Sequence, residues 1–431
     1  VTDSPFSILG INDALNRALA AENYVQPTPI QTQAIPLILA GRDVLGIAQT
    51  GTGKTAAFGL PLLQKLAEKP VSVQPRHARA LILAPTRELV VQIDQSMRTY
   101  GRRLKLRHAT ILGGMSQNKQ VSAMRNGVDV LVATPGRLLD LVAQNHVMLG
   151  KVELFVIDEA DRMFDMGFIR DVRRIVACLP KQRQSLLFSA TMPSDVVHLV
   201  RDVLREPVRI EVTPEAPAAE RIDQQVYYVA TPDKYTLLQD LLRNNPAMNR
   251  VVVFMRTKHS ASKIAERLCK AGHTAEVIHG NKSQNARQSA LDIFRAGKAR
   301  LLVATDIAAR GIDIDGVSHV VNFDLPDVAE SYVHRIGRTA RAGTDGTAIA
   351  FCDPSEFSSL RAIERLVNRT LTPMGGERPA TGTPSRSKPK YRGSEGGYKP
   401  GGQKPCGQKP GQKPGKAKPF KARGRQARRA A

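Results

Sequence analysis

The chain has 431 residues, enough for two or three domains at about 150 residues each, and 42% of them are apolar, so sizeable cores can be buried. Its 63 basic and 39 acidic residues leave a formal net charge of +24. No run approaches the ~18 apolar residues of a membrane span, and the opening Val1-Thr2-Asp3-Ser4-Pro5 lacks the basic-then-apolar layout of a secretory signal. Cys178, Cys269, Cys352 and Cys406 stand 91, 83 and 54 positions apart. That is neither metal-ligand nor redox-motif spacing, and a reducing, cytoplasmic setting with no membrane attachment is expected.

Short apolar strands alternate with amphipathic helices, the pattern of parallel α/β domains. Strands are predicted at 43–47, 80–83, 130–133, 154–157 and 186–188. Ligands of open parallel sheets gather beyond the carboxyl ends of strands, so the turns after these segments are where chemistry is expected. Between Glu211 and Glu220, two prolines and three acids in ten residues read as an interdomain linker, assigned to 211–221. The alternation then resumes with strands at 225–229, 251–254, 275–278, 300–304, 320–323 and 347–351. Domains of 1–210 and 222–371 result. The remaining residues, 372–431, hold 16 Lys/Arg against 2 Asp/Glu, with 12 Gly and 9 Pro and Phe420 as their only Ile, Leu, Val or Phe. Such a segment cannot offset its ordering entropy by burial, so a disordered polycation is expected, suited to a phosphate backbone or serving as a solubilising spacer.

Ala48-Gln49-Thr50-Gly51-Thr52-Gly53-Lys54-Thr55 follows the first strand and precedes a helical stretch, the context of a P-loop. Its glycines let successive amides face phosphate oxygens, Lys54 reaches the outer phosphates of a nucleotide, and the Thr55 hydroxyl suits Mg²⁺. Asp158-Glu159-Ala160-Asp161 follows an apolar strand. Asp158 is placed to bind Mg²⁺ and Glu159 to orient or deprotonate a water; a helix-capping acidic cluster is the plainer reading. Ser189-Ala190-Thr191 follows a further strand, where its hydroxyls can hydrogen-bond the Asp158–Asp161 acids or simply cap a turn.

Together these motifs resemble the DEAD-box ATP-dependent RNA helicases, whose four letters stand at 158–161. The resemblance runs from about Phe6 to Phe351 and implies two tandem RecA-like domains binding ATP and Mg²⁺. It implies that Gln31, within Pro27-Thr28-Pro29-Ile30-Gln31, reads the adenine edge, and that Phe6 packs on the base. It makes Ser189 and Thr191 couple hydrolysis to strand separation. In His334-Arg335-Ile336-Gly337-Arg338-Thr339-Ala340-Arg341 it makes Arg338 and Arg341 arginine fingers and His334 a link between the domains. Asp313 would contact the ribose. The RNA contacts it implies are Pro85, Thr86 and Arg87; Gly113 and Gly114; Thr134, Pro135, Gly136 and Arg137; and, in the second domain, Gln284, Arg287 and Thr305. Arg, hydroxyl and glycine chemistry of this kind grips phosphate and sugar without reading bases.

The implied activity is RNA-dependent ATP hydrolysis with local unwinding of short duplexes or ribonucleoprotein remodelling. An ATP-gated RNA clamp and a DNA translocase are competing readings. A basic tail directly after the core resembles the bacterial RhlE-type members. The family suggests work in ribosome assembly or RNA decay, with ribosomal or RNA-decay proteins as partners.

Overall fold

The computed structural model describes residues 4–49, 51–212, 222–306, 316–340 and 346–378. They form two lobes, each built on a seven-stranded, all-parallel sheet. Lobe 1 contains β1 (Val44–Ile47), β2 (Ala78–Leu83), β3 (His108–Ile111), β4 (Val128–Ala133), β5 (Leu154–Ile157), β6 (Gln184–Ser189) and β7 (Val208–Glu211), in the order β3-β4-β2-β5-β6-β1-β7. Lobe 2 contains β8 (Ile222–Tyr228), β9 (Val251–Met255), β10 (Ala275–Ile278), β11 (Leu301–Thr305), β12 (His319–Asn322), β13 (Gly346–Cys352) and β14 (Thr372–Gly375). Its order, β10-β11-β9-β12-β13-β8-β14, is that of lobe 1 with seven added to every strand number. The two lobes share one topology, in line with the RecA-like expectation.

Helices cover both faces of each sheet, which is why the central strands read as unbroken apolar runs. Ala80 and Ile82 of β2 face one core while Leu81 and Leu83 face the other. In β9, Val251 and Val253 oppose Val252 and Phe254 in the same way. Gly46 in β1 is required by packing: a Cβ there would lie 2.5 Å from the Phe188 ring of β6. That ring stacks toward Phe58, with centroids 5.4 Å apart, on the helix Lys54–Glu68. The same contacts therefore fix β1, β6 and the helix that follows the phosphate loop.

Two boundaries move. Glu211, assigned to the linker, closes β7 and pairs with Ile47; Val208–Glu211 carries a half-exposed pattern that hides a strand. Thr372–Gly375, assigned to the tail, forms β14 on the edge of the second sheet beside Gln225, Val226 and Tyr227. The rest of the tail, from 379 on, lies outside the described residues, as does most of the linker.

Lobe 2 also contains a buried ion network. The Lys234 ammonium, 1% exposed, donates to the Phe323 carbonyl at 2.9 Å and to Glu356 at 2.6 Å. Arg256 holds the other Glu356 oxygen at 2.6 Å. Removing one partner of a buried pair strands the other charge. Lys234→Ala is therefore expected to destabilise lobe 2 by about 3 kcal/mol, read from the urea midpoint; an unshifted midpoint would show that the network contributes nothing.

Candidate functional site

All strands of a parallel sheet end on one side, so the loops after β1, β2, β3, β4, β5 and β6 share one edge of lobe 1. The loop after β1 is the phosphate-binding candidate. Gly51 and Gly53 both have φ of +88°, the left-handed region glycine enters without cost. Gly53 caps the helix Lys54–Glu68, whose first amides and dipole point at the loop. Lys54 is buried and donates to the Ala48 carbonyl at 2.7 Å, across the loop. Thr52 donates to the Gln49 carbonyl at 2.8 Å. Thr55 is half-buried on the first turn, and Thr50 lies outside the described residues.

Gln31, 1% exposed, donates to the Gly53 carbonyl at 3.1 Å and accepts from the Thr28 amide at 2.9 Å. An amide side chain has two donors and two acceptor sites, so one of each remains beside the loop. Phe6 is fully buried. It has no exposed surface and sits in the lobe 1 core beside Leu15 and Leu19, so the ring offers no face to a base in this structure.

Beyond β5 the acids divide by environment. Asp158 accepts from the Glu159 amide at 3.0 Å, and burial pushes its carboxyl up to about 7; Lys54 opposes that shift and Glu159 adds to it. Glu159 adopts φ of +54°, left-handed for a non-glycine residue. Arg162, one turn on, donates to Glu159 Oε2 at 2.8 Å, with both side chains 5% exposed or less. Asp161 is consumed by the loop after β6: its Oδ2 accepts from the Ala190 and Thr191 amides at 3.1 and 2.9 Å and from the Thr191 hydroxyl at 3.1 Å. Ser189 differs from expectation. Its hydroxyl accepts from the Asp161 amide at 3.2 Å and donates to the Thr191 carbonyl at 2.7 Å, so it touches no carboxylate. A hydroxyl buried at a strand end satisfies backbone groups first.

An Asp carboxylate and a Thr hydroxyl are the hard oxygen donors that Mg²⁺ takes. Burial works against ionised Asp158, which a cation beside it would offset. Among the described residues no three His, Cys, Asp or Glu side chains converge as a metal cage; phosphate and water oxygens must complete such a coordination shell.

Lobe 2 brings the helix Ala329–Ile336 and the turn after it to these acids. Arg338 is 4% exposed and donates to the His334 carbonyl at 3.2 Å. Burial lowers its pKa to about 9, Arg162 repels it and Glu159 attracts it. Arg162 shares a small cavity with Asp306, His334, Arg335 and Arg338. Arg335 is 2% exposed and grips Asp306 through both carboxylate oxygens at 2.5 and 2.8 Å, while also donating to Asn322. It thereby ties the end of β11, where Thr305 sits, to the helix leading to Arg338. Asp313 and Arg341 lie outside the described residues.

The residues expected on RNA gather on the same edge. Thr86 caps the helix Arg87–Tyr100 by accepting from the Leu89 amide, behind the buried Pro85. The Arg87 guanidinium lies against Gly113 and Gly114, where side chains would collide with it. Thr134 and Pro135 open the helix carrying an exposed Gly136, and Arg137 is engaged by Asp140 and, at 3.0 Å, by Gln117. Gln284 and Arg287 bridge the lobes. Both are buried and reach across to Glu88 of lobe 1, Gln284 Nε2 at 3.0 Å and Arg287 Nη2 at 3.0 Å. Gln284 Oε1 and Arg287 Nε keep no hydrogen-bond partner. Glu88, Asp306 and Arg335 stand inside recognised motifs without a role of their own in the sequence reading, and Arg162 has no sequence signal beyond a charge beside the acids.

Residues 28–199 match the DEAD/DEAH box helicase family, and residues 233–343 match the helicase conserved C-terminal domain. The chain is 43% identical over 376 residues to the ATP-dependent RNA helicase RhlB of Xanthomonas oryzae, covering 86% of this chain and 65% of that protein. It is 43% identical over 369 residues to the RNA helicase CrhR of Synechocystis, covering 85% and 74%. The chain thus spans about two thirds of the RhlB relative's length. Among solved structures, S. cerevisiae Dbp5 bound to RNA and ADP BeF3 superposes with a TM-score of 0.76 at 33% identity, covering 86% of this chain and 96% of that one. A DEAD box protein from Methanococcus jannaschii, at 35% identity and similar coverage, superposes with a TM-score of 0.51. The chain belongs to the DEAD-box ATP-dependent RNA helicases.

The Glu88 contacts join the lobes through a buried charge. Truncating one partner of a buried, hydrogen-bonded charge pair costs about 2 kcal/mol or more, so Glu88→Ala is expected to raise the RNA concentration for half-maximal ATPase stimulation by roughly thirtyfold. Titration of ATPase rate against single-stranded RNA checks this; an unchanged midpoint removes the contact from lobe closure.

Proposed function

We propose that the chain is an RNA-stimulated ATPase that separates short RNA duplexes or remodels ribonucleoprotein when its lobes close. The observation that carries this reading is the single buried cluster in which Glu159 of lobe 1 and Arg338 of lobe 2 attract one another. A site split between lobes works only when they meet, so a ligand spanning both lobes favours the chemistry. The close superposition on a relative holding RNA and a nucleotide mimic supports reading these contacts as the closed arrangement.

In this reading Gln31 selects adenine, and the amides of Gly51, Thr52 and Gly53 with Lys54 cradle the phosphates. Thr55 and Asp158 would hold Mg²⁺, which when bound neutralises charge on the outer phosphates. Glu159 orients the attacking water and takes its proton, while Arg338, with Arg341, stabilises charge on the γ-phosphoryl group. His334 supports Arg338 through its carbonyl. Asp161 and Thr191 tie the acid loop to the end of β6, so motion there reaches the hydrolytic acids. Pro85 to Arg87, Gly113 and Gly114, Thr134 to Arg137, Gln284, Arg287 and Thr305 form the RNA edge, which holds backbone rather than bases. A cytoplasmic, RhlE-type enzyme acting in ribosome assembly or RNA decay is the finer reading, supported by the basic composition after the core.

Glu159→Gln keeps shape and loses the proton acceptor. It is expected to retain ATP and RNA binding while multiple-turnover hydrolysis falls by about 10²-fold or more; a wild-type kcat would remove Glu159 from this role. Wild-type ATPase that RNA does not stimulate would defeat the enzyme reading itself. Deleting residues 379–431 is expected to flatten the salt dependence of RNA affinity, by about 0.7 in log–log slope for each phosphate the segment neutralises, and to spare RNA-free ATP turnover. Equal slopes with and without the segment would exclude it as an RNA anchor.

A further inference from the structure

We propose that Arg162 is the positioning residue for Glu159, and that it holds the carboxylate in working orientation only while lobe 2 covers it. Glu159 enters its helix at φ of +54°, so the backbone sends its side chain into the cleft at some conformational cost. Arg162 Nη1 takes one carboxylate oxygen, Oε2, at 2.8 Å. Among the described residues the other oxygen, Oε1, has no hydrogen-bond partner, and it is the atom left to face a water. One oxygen is anchored and one is presented.

The anchor depends on lobe 2. Apart from Arg162, the walls of the small cavity at the guanidinium all come from that lobe: Phe254, Asp306, Ser331, His334, Arg335 and Arg338. The cavity measures about 10 Å³, room for at most a single water. With lobe 2 in place the ion pair lies in a dry, low-dielectric setting, where it is strong and fixed. With lobe 2 withdrawn the same pair would face water, where such pairs contribute about 0–1 kcal/mol and side chains reorient freely. Arg162 also repels Arg338.

This inference rests on the role given to Glu159 above. In the step concerned, the water oxygen forms a bond to the γ-phosphorus. The bond from that phosphorus to the bridging oxygen breaks, its electron pair leaving with ADP, and the water proton passes to Glu159 Oε1. Arg162 gains and loses no bond; it sets where Oε1 stands.

The test uses the full chain, with kcat at saturating ATP and RNA, and RNA affinity in ADP with beryllium fluoride. Arg162→Gln is expected to lower kcat by about ten- to a hundredfold while RNA affinity stays within about threefold. Arg162→Lys, which keeps the charge in a different shape, is expected to recover part of the loss. On a Glu159→Gln background, Arg162→Gln is expected to cause no further loss, because both changes remove one function. An unaffected kcat in Arg162→Gln, a double variant showing the product of the two losses, or RNA affinity that collapses along with kcat would each overturn the inference. A stalled Glu159→Gln beside an unaffected Arg162→Gln overturns this inference alone, whereas a fully active Glu159→Gln overturns the role of Glu159 as well.

Discussion

Three carboxylates, Asp158, Glu159 and Asp161, and three cations, Lys54, Arg162 and Arg338, gather in one buried cluster, none more than 6% exposed. Removing such charges from water costs several kcal/mol per ion unless each finds its opposite. Here the opposites come from both lobes. Asp161 is satisfied by the loop after β6, Glu159 by Arg162, and Arg338 arrives from lobe 2 beside them. Asp158 is the least settled of the six: burial and its acidic neighbours raise its pKa against the pull of Lys54. The cluster is held together by the fold yet left incomplete in charge, as a site for a cation and a polyanionic substrate should be.

The duplicated topology explains how such a cluster arises. Each lobe is a stable parallel sheet buried on both faces, so its loops are free to carry polar groups the core excludes. Lobe 1 places the phosphate loop after β1 and the acids after β5. Lobe 2 answers with Asp306 after β11 and the Arg335–Arg338 turn. The Arg335–Asp306 grip joins the candidate RNA residue Thr305 to the candidate finger Arg338 within one rigid unit. Glu88 with Gln284 and Arg287 makes a second bridge between the lobes near the RNA edge. The candidate nucleotide and RNA surfaces are thus joined through packed, hydrogen-bonded groups.

Much of this was legible in the sequence, and the omissions have a common cause. The predicted strands are all present, and those at 154–157 and 275–278 match β5 and β10 in full. The missed strands β3, β7 and β14 are all sheet edges, where one flank meets solvent and the apolar run dissolves into mixtures such as His-Ala-Thr-Ile. The phosphate loop and acids were legible because their chemistry demands particular residues at fixed spacing. The roles of Arg162, beside a motif, and of Glu88, inside one, were not, because a charge gains its meaning only from a partner that the fold brings close. Phe6 shows the converse: its position relative to a motif suggested a ligand contact, while packing buries its ring in the lobe 1 core.

In the proposed reading the phosphate bond breaks only when lobe 2 delivers Arg338 to the acids of lobe 1. Single-turnover ATP hydrolysis by Arg338→Ala, with ATP and RNA both saturating, tests it most directly. The expected result is a loss of about 10³-fold or more in the rate of the chemical step, with ATP affinity nearly preserved. Hydrolysis at the wild-type rate would contradict it.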